Sequence, residues 1–378
     1  MRRISVISGD RTLSRRGFLS AAASGALLAA PAGTKDASEY PLVVAKGSHR
    51  ELGRQHGEQA SGKIHAHLDV MTSQGRMSRE TLRTRALAFQ PLFERYCPHL
   101  LDEIRGLAEG AKIELAEALA VNIRGELHQK PAEGCTTYVI SRAGSSNRQM
   151  LAGQNSDMTP EVPPLGYVLH LKPVNKPEIL MWTFGGMIGY HGMNSAGVAQ
   201  FNNALGGGPR SRMGMPHYPM KRMMLECDRM DQITRLLETV PQASNANYVV
   251  CDGHGAILDI ESTSAGPQFL KDSGAGFLAH TNHFVCSRYA TRENFGRSWK
   301  DSFPRLDRMN GLLQSKFGSL SADELKKFLA DHSGYPTSIC RHNGESLTVA
   351  SLISELDERR FHVAVGNPCQ NRYVTYAM

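Results

Sequence analysis

The chain has 378 residues, 41% hydrophobic and 21% charged, with a formal net charge of +7. This composition excludes wholesale disorder, and the length suffices for one large core or two modest ones. Beyond residue 33 no stretch approaches the ~20 consecutive apolar residues of a membrane-spanning helix.

In chain order, the first 32 residues hold Arg2, Arg3, Arg11, Arg15 and Arg16 against one acid, Asp10. A basic start, an apolar run from Gly17 to Ala30 and the small residues Ala30-Pro31-Ala32 read as a cleavable signal peptide. Ser14-Arg15-Arg16-Gly17-Phe18-Leu19 resembles the twin-arginine export signal, so a periplasmic or secreted location is expected, with no membrane attachment after processing. Without these residues the 43 Lys+Arg and 36 Asp+Glu fall to 38 and 35, a net charge of +3. Nothing in that balance neutralises a row of phosphates, which argues against a nucleic-acid partner.

Residues 33–134 are expected to be mainly helical. A strand is predicted at 40–45, and Ser48-His49-Arg50-Glu51 has the form of a capping box opening a helix through Leu52, Gln55, His56 and Gln59. Further helices are predicted at 78–96, ending before Pro98, and at 101–111 and 113–127. From Cys135 the texture changes to short β-rich runs at 136–141, 150–154, 166–171, 179–184, 248–251, 257–261 and 277–279. Turn residues such as Gly144-Ser145-Ser146-Asn147 and Asp252-Gly253-His254-Gly255 punctuate them. Helices are predicted at 220–228, 231–239 and 305–317, and another at the capping box Ser321-Ala322-Asp323-Glu324. Strands return at 360–365 and 373–377. This segregation points to an α+β protein of stacked sheets with helices outside.

Several signals carry no chemistry of their own. His65 and His67, two apart on a helix, point in different directions and do not read as a metal pair. Met193-Asn194-Ser195-Ala196-Gly197 lacks the first glycine of a serine nucleophile elbow. The methionine-rich stretch Met213, Met215, Met220, Met223 and Met224 reads as adaptable core. The seven cysteines (Cys97, Cys135, Cys227, Cys251, Cys286, Cys340 and Cys369) include no CxxC and no Cys/His grouping at zinc-ligand spacing, so no metal or cofactor is expected. Their disulfide pairing stays open.

The informative point is the border Lys130-Pro131-Ala132-Glu133-Gly134-Cys135-Thr136-Thr137. If the Gly134–Cys135 bond broke, Cys135 would carry a free α-amino group beside its thiol. With reference pKa values of ~7.7–8 and ~8.5, that amine can take the thiol proton near neutrality, so one residue supplies nucleophile and base. Spacing alone favours a buried structural thiol.

Glu133-Gly134-Cys135-Thr136-Thr137 followed by Gly153-Gln154-Asn155-Ser156-Asp157 resembles the acyl-CoA:6-aminopenicillanic-acid acyltransferase (isopenicillin N acyltransferase) family of self-cleaving N-terminal-nucleophile hydrolases. Further blocks follow in the family's order: Gly47 to Gly53 with His56-Gly57, Gly192 to Val198, His280 to Phe284, Ser338 to Arg341 and Gly366 to Cys369. The resemblance implies a four-layer αββα sandwich with a helical N-terminal segment, autocleavage between Gly134 and Cys135, and two associated fragments, 33–134 and 135–378. It implies Cys135 as nucleophile, Asp157 holding the α-amino group or orienting the centre, and Asn282 donating to an oxyanion. Arg341 would fix Asp157 or a substrate carboxylate. Asn203 would add a polar pocket group, with Asn202 adjoining it. An exported amidohydrolase acting on a small N-acyl amide or peptide-like substrate is expected. An acyltransferase and a non-catalytic binding protein that never cleaves are the alternatives.

Overall fold

Local signals place the first elements of the structure, a computed structural model that describes residues 39–73, 77–127, 134–209, 211, 213–291 and 300–378. The expected export signal and residues 128–133 of the segment before Gly134 lie outside the described residues. Strand β1 (Leu42–Gly47) alternates exposed and buried side chains. Ser48 then caps α1 (His49–Thr72): the Ser48 amide donates to Glu51 Oε2 at 2.7 Å, and Ser48 Oγ accepts from the Glu51 amide at 3.4 Å. The helix expected over 78–96 is two, α2 (Arg79–Leu87) and α3 (Gln90–Tyr96). Pro91 explains the break, since its ring excludes the carbonyl of Leu87, four residues earlier, from a continuous helix. α4 (Pro98–Ala111), α5 (Leu115–Asn122) and α6 (Arg124–Leu127) complete the helical segment.

α1 and α4 approach backbone to backbone. A Cβ added at Gly53 would lie 1.8 Å from the Glu103 carbonyl oxygen, and one at Gly110 would lie 2.0 Å from that of Arg54. Only glycine allows such contact, which explains physically the early glycine block noted in the sequence.

Past Gly134 the strands assemble two sheets. One has the order β1, β4 (Gly166–Pro173), β5 (Ile179–Phe184), β6 (His191–Asn194), β7 (Ala199–Ala204), β8 (Ala246–Cys251), β9 (Ile257–Thr263) and β10 (Gly266–Lys271). The other has β11 (Phe277–His280), β2 (Gly134–Ile140), β3 (Leu151–Met158), β13 (Ser346–Glu355), β14 (Arg360–Val365) and β15 (Tyr373–Ala377), with β12 (His342–Asn343) beside β13. β1 joins the first sheet parallel to β4, and the other pairings are antiparallel. Helices α7 (His217–Leu225), α8 (Met230–Thr239), α9 (Ser302–Ser315) and α10 (Ala322–Leu329) complete the described elements.

Period-2 alternation decides the layers. Val139, Ala152, Leu180, Trp182, Phe201 and Leu352 meet between the sheets. On the outside of the first sheet, Tyr167, Leu169 and Met181 pack with Leu52, Ile64 and Leu107 of the N-terminal helices, together with the buried Met220 and Met224. On the outside of the second, Tyr138, Ile140, Leu151 and Ile353 meet Met309, Leu313, Leu325 and Leu329 from α9 and α10. The result is the αββα sandwich expected.

The segment before Gly134 is tied into this body by buried polar contacts. Arg222 forms a bidentate pair with Glu103, at 2.6 and 2.8 Å, with both side chains fully buried. Tyr40 Oη donates to the Val349 carbonyl at 2.8 Å, and His56 Nε2 lies 2.6 Å from Tyr167 Oη. Glu103→Ala would leave the buried Arg222 with Glu226, 3.1 Å from its Nε, as its remaining carboxylate partner and two guanidinium N–H groups without their carboxylate acceptor. It is expected to cost about 1.5–3 kcal/mol of stability in denaturant unfolding, since the charge itself stays paired.

Candidate active site

β2 begins at Gly134, so Cys135 is its second residue, buried, and held on both sides of its peptide. Even-numbered residues of β2 (Thr136, Tyr138, Ile140) face α9 and α10, whereas Cys135, Thr137 and Val139 face the other sheet. In the β2–β3 register Gly134 pairs with Asp157 and Cys135 with Ser156. The Asp157 carboxylate therefore shares the helix-side face with Gly134 and lies on the opposite face of the sheet from the Cys135 side chain. Its placement suits a group on the Cys135 backbone nitrogen better than one on the sulfur.

The Cys135 amide donates to Asn282 Oδ1 at 2.9 Å. Arg305, 1% exposed on α9, donates from Nη1 to the Cys135 carbonyl at 2.6 Å and to Thr136 Oγ1 at 2.9 Å, and from Nη2 to Asn282 Oδ1 at 2.9 Å. Because Asn282 Oδ1 accepts two donors, the orientation of its amide is fixed, and Nδ2 donates to the Ala204 carbonyl at 3.1 Å.

Asp157 is fully buried. Its Oδ1 accepts from Thr348 Oγ1 at 2.8 Å, while its Oδ2 has no hydrogen-bond donor among the described residues and stands 3.8 Å from Arg341 Nε. A Cβ built on Gly134 would sit 3.0 Å from that same oxygen, so a side chain there would press on the carboxylate. Arg341 is further paired with Asp301, its Nη1 donating to Oδ2 at 2.9 Å, and Arg305 Nε donates to the same oxygen at 3.2 Å. Burial raises the Asp157 pKa above the usual carboxylate range, with Arg341 and Arg305 offsetting part of the rise. Burial likewise lowers the pKa of Arg305, against the pull of Asp157 and Asp301.

Of the residues singled out from sequence, Cys135, Asp157, Asn282 and Arg341 converge here. Asn203 lies one step deeper, its Nδ2 donating at 2.6 Å to both Thr137 Oγ1 and Asn247 Oδ1. The neighbouring Asn202 turns the other way, to His217 Nε2 at 2.9 Å. Beyond Asn247 a polar layer continues through Asp259 to His280 and Glu261, with His280 Nε2 3.0 Å from Glu261 Oε1. Burial raises Asp259 to about 6. Arg305 and Asp301 were not foreseen. Arg305 reads in sequence as an ordinary first residue of a helix, and nothing nearby in the chain marks its partners.

A cysteine one residue into an inner strand of an αββα sandwich, its peptide gripped by a buried asparagine and its neighbour facing a buried carboxylate, is the arrangement that the resemblance to acyltransferases of the N-terminal-nucleophile kind implies. The chain belongs to the acyl-coenzyme A:6-aminopenicillanic acid acyl-transferase family, whose profile matches residues 142–370, and it is an enzyme of that class. It is similar to the 40 kDa form of acyl-coenzyme A:6-aminopenicillanic-acid-acyltransferase of Emericella nidulans, 29% identical over 341 residues, covering 86% of this chain and 92% of that one. Among solved structures it is similar to penicillin V acylase from Agrobacterium tumefaciens (13% identity, 61% of this chain and 83% of that one, TM-score 0.45). It is also similar to a mutant of conjugated bile acid hydrolase from Clostridium perfringens (12% identity, 65% and 97%, TM-score 0.41).

Two outcomes follow from this geometry. Arg305→Lys keeps a charge but cannot bond the Cys135 carbonyl and the Asn282 oxygen together. It should lower acyl-transfer rates about ten- to a hundredfold, the equivalent of one charge-assisted hydrogen bond of about 1.5–3 kcal/mol. Asp157 has a folded-state pKa above its unfolded one, so its contribution to stability is greatest at low pH and is lost as pH rises through the raised value. In a Cys135→Ala background, the stability of the Asp157 protein relative to Asp157→Asn should fall across that window in denaturant titrations. A difference that grows in favour of Asp157 with rising pH contradicts this assignment.

Proposed function

We propose that the chain is an exported cysteine amidohydrolase that matures by cutting itself between Gly134 and Cys135 and then cleaves a linear N-acyl amide through a thioester. The observation that carries this reading is the combination of the Asn282–Arg305 grip on the Cys135 peptide with the unbonded Asp157 Oδ2 beside Gly134.

In maturation the Cys135 sulfur adds to the Gly134 carbonyl carbon and the C–N bond breaks. The nitrogen takes up a proton, and the resulting thioester is hydrolysed by water to a Gly134 carboxylate and a free thiol. The new α-ammonium group emerges between Asn282 Oδ1, which already accepts from that nitrogen, and the Asp157 carboxylate, which has an oxygen to spare. Both favour retention of this nitrogen at the head of the strand. The two fragments, 33–134 and 135–378, stay together through contacts such as Arg222–Glu103.

In turnover the α-amine takes the thiol proton, the sulfur attacks the substrate carbonyl, and the amine product leaves with that proton. Water then releases the acyl group. Asn282 spends one N–H on Ala204 and keeps the other for the developing oxyanion, a donor of a kind whose removal costs about a hundred- to a thousandfold in rate.

The export signal favours hydrolysis over transfer, because acyl-CoA is an intracellular donor. The name of the Emericella nidulans relative supports the second reading, in which an amine rather than water accepts the acyl group. Partition of product between free acid and new amide, at equal donor concentration with and without added amines, separates the two.

Cys135→Ala should give one intact chain without activity. Cys135→Ser should cleave slowly, since a hydroxyl can perform the same shift as a poorer nucleophile. N-terminal sequencing of the mature protein should find chains starting at residues 33 and 135, and processing of Cys135→Ala at residue 134 overturns the mechanism.

A further inference from the structure

Four potential metal-ligand side chains converge outside the site described above: His332, Cys340, His342 and Cys369, whose ligand atoms all lie within 4.8 Å of one another. Cys340 Sγ is 3.5 Å from Cys369 Sγ, and His342 Nε2 is 3.4 Å and 3.3 Å from these two sulfurs. His332 Nε2 is 3.2 Å from His342 Nε2. A tetrahedral zinc ion with Zn–S of about 2.3 Å and Zn–N of about 2.0–2.1 Å spaces its ligands by about 3.8 Å (S–S), 3.5 Å (S–N) and 3.3 Å (N–N). Four of the six spacings, all those among Cys340, Cys369 and His342 and the one between the two histidines, lie within a few tenths of an ångström of those edges, and His332 lies within 4.8 Å of both sulfurs. A disulfide, by contrast, needs the two sulfurs at about 2.05 Å.

We propose that these four residues bind a single structural zinc ion as a Cys2His2 site. On binding, the Cys340 and Cys369 thiols release their protons to solvent, and two thiolates with two neutral imidazoles leave the site uncharged overall.

The surroundings are those of a built site. Asn367, buried, donates from Nδ2 to Cys340 Sγ at 3.5 Å and to the Arg341 carbonyl at 2.7 Å, a partner for a ligand sulfur and an anchor for the backbone next to it. The loop carrying three of the ligands is closed by backbone bonds at both ends. The Cys340 amide donates to the Asp331 carbonyl at 3.0 Å, and that of His342 to the Pro336 carbonyl at 2.8 Å. Cys369 comes from a separate segment, the turn between β14 and β15. The ion would thus pin together two stretches of chain that the Asn367–Arg341 bond already joins.

Its consequence for the centre is positional. Arg341 stands between Cys340 and His342, and its guanidinium pairs with Asp301 and faces Asp157. Fixing both flanking residues fixes the backbone from which Arg341 reaches. The sequence alone gave no hint, because the spacings of 8, 2 and 27 residues between ligands match no compact zinc motif.

The test uses the full-length protein, purified in metal-free buffer after exposure to zinc chloride, with bound metal measured by mass spectrometry of the elements. Zinc should be retained at one ion per chain and lost in Cys369→Ala and in His332→Ala, both of which alter exposed side chains. Asn367→Ala should weaken zinc affinity about ten- to a hundredfold. Replacing zinc with cobalt should give the intense visible bands of a tetrahedral thiolate site, absent from Cys369→Ala. Cys135→Ala keeps all four ligands and should bind zinc equally, so the result does not depend on self-cleavage. Failure to retain zinc in the unsubstituted protein, or a Cys340–Cys369 disulfide in its peptide map, overturns the proposal.

Discussion

The site depends on keeping the Arg305 guanidinium charged inside the protein. This cation touches the Cys135 carbonyl, the Thr136 hydroxyl and the Asn282 amide oxygen, and it is almost wholly withdrawn from water. An isolated charge at such a place would cost several kcal/mol. It is tolerated because Asp301 and Asp157 stand nearby, and they in turn are shared with Arg341. Two cations and two carboxylates form a closed electrostatic unit, and the Cys135 peptide is held against its rim. The partial mismatch inside that unit, with Asp157 Oδ2 and Arg341 Nε facing each other without a hydrogen bond, leaves one carboxylate oxygen available beside Gly134.

The unit can exist only because separate stretches of chain, β2, β3, α9, β13 and the loop carrying Arg341, are brought together by the sandwich. The pairing of β2 with β3 sets Asp157 opposite Gly134, and α9 lays Arg305 across the start of β2. β13, pairing with β3 on its other side, supplies Thr348 to Asp157 and Ser351 to Asn155. Strand alternation then separates functions by face: the sulfur points between the sheets, while the charges that handle the backbone lie under the helices. A cut before Cys135 would leave this arrangement standing, since the N-terminal helices are held by the Arg222–Glu103 pair and by a continuous apolar face rather than by the peptide link.

A zinc ion at His332, Cys340, His342 and Cys369 would extend the same logic outward. Arg341 balances the carboxylates from one end of a short loop, and a metal on the residues either side of it would stiffen that loop without adding charge. The catalytic centre and the metal cluster would then share one residue of backbone but no ligand.

Much of the fold is legible in the sequence. The capping box at Ser48, the cap at Ser321 (without the reciprocal bond from Glu324, which pairs with Lys327), the strands at 179–184, 360–365 and 373–377, and the change of texture at Cys135 all rest on local patterns that the structure bears out. β7 and β13 were not legible, because their polar residues, among them Asn202, Asn203, Thr348 and Ser351, are buried rather than exposed, which hides the alternation. Of the candidate site, Cys135, Asp157, Asn282 and Arg341 could be named from ordered motifs, yet motifs carry no distances. Arg305, Asp301 and the four-ligand cluster were decided by tertiary structure alone. Their partners are separated by long runs of chain, and a charge or a ligand acquires its meaning only from what folding places within a few ångströms of it.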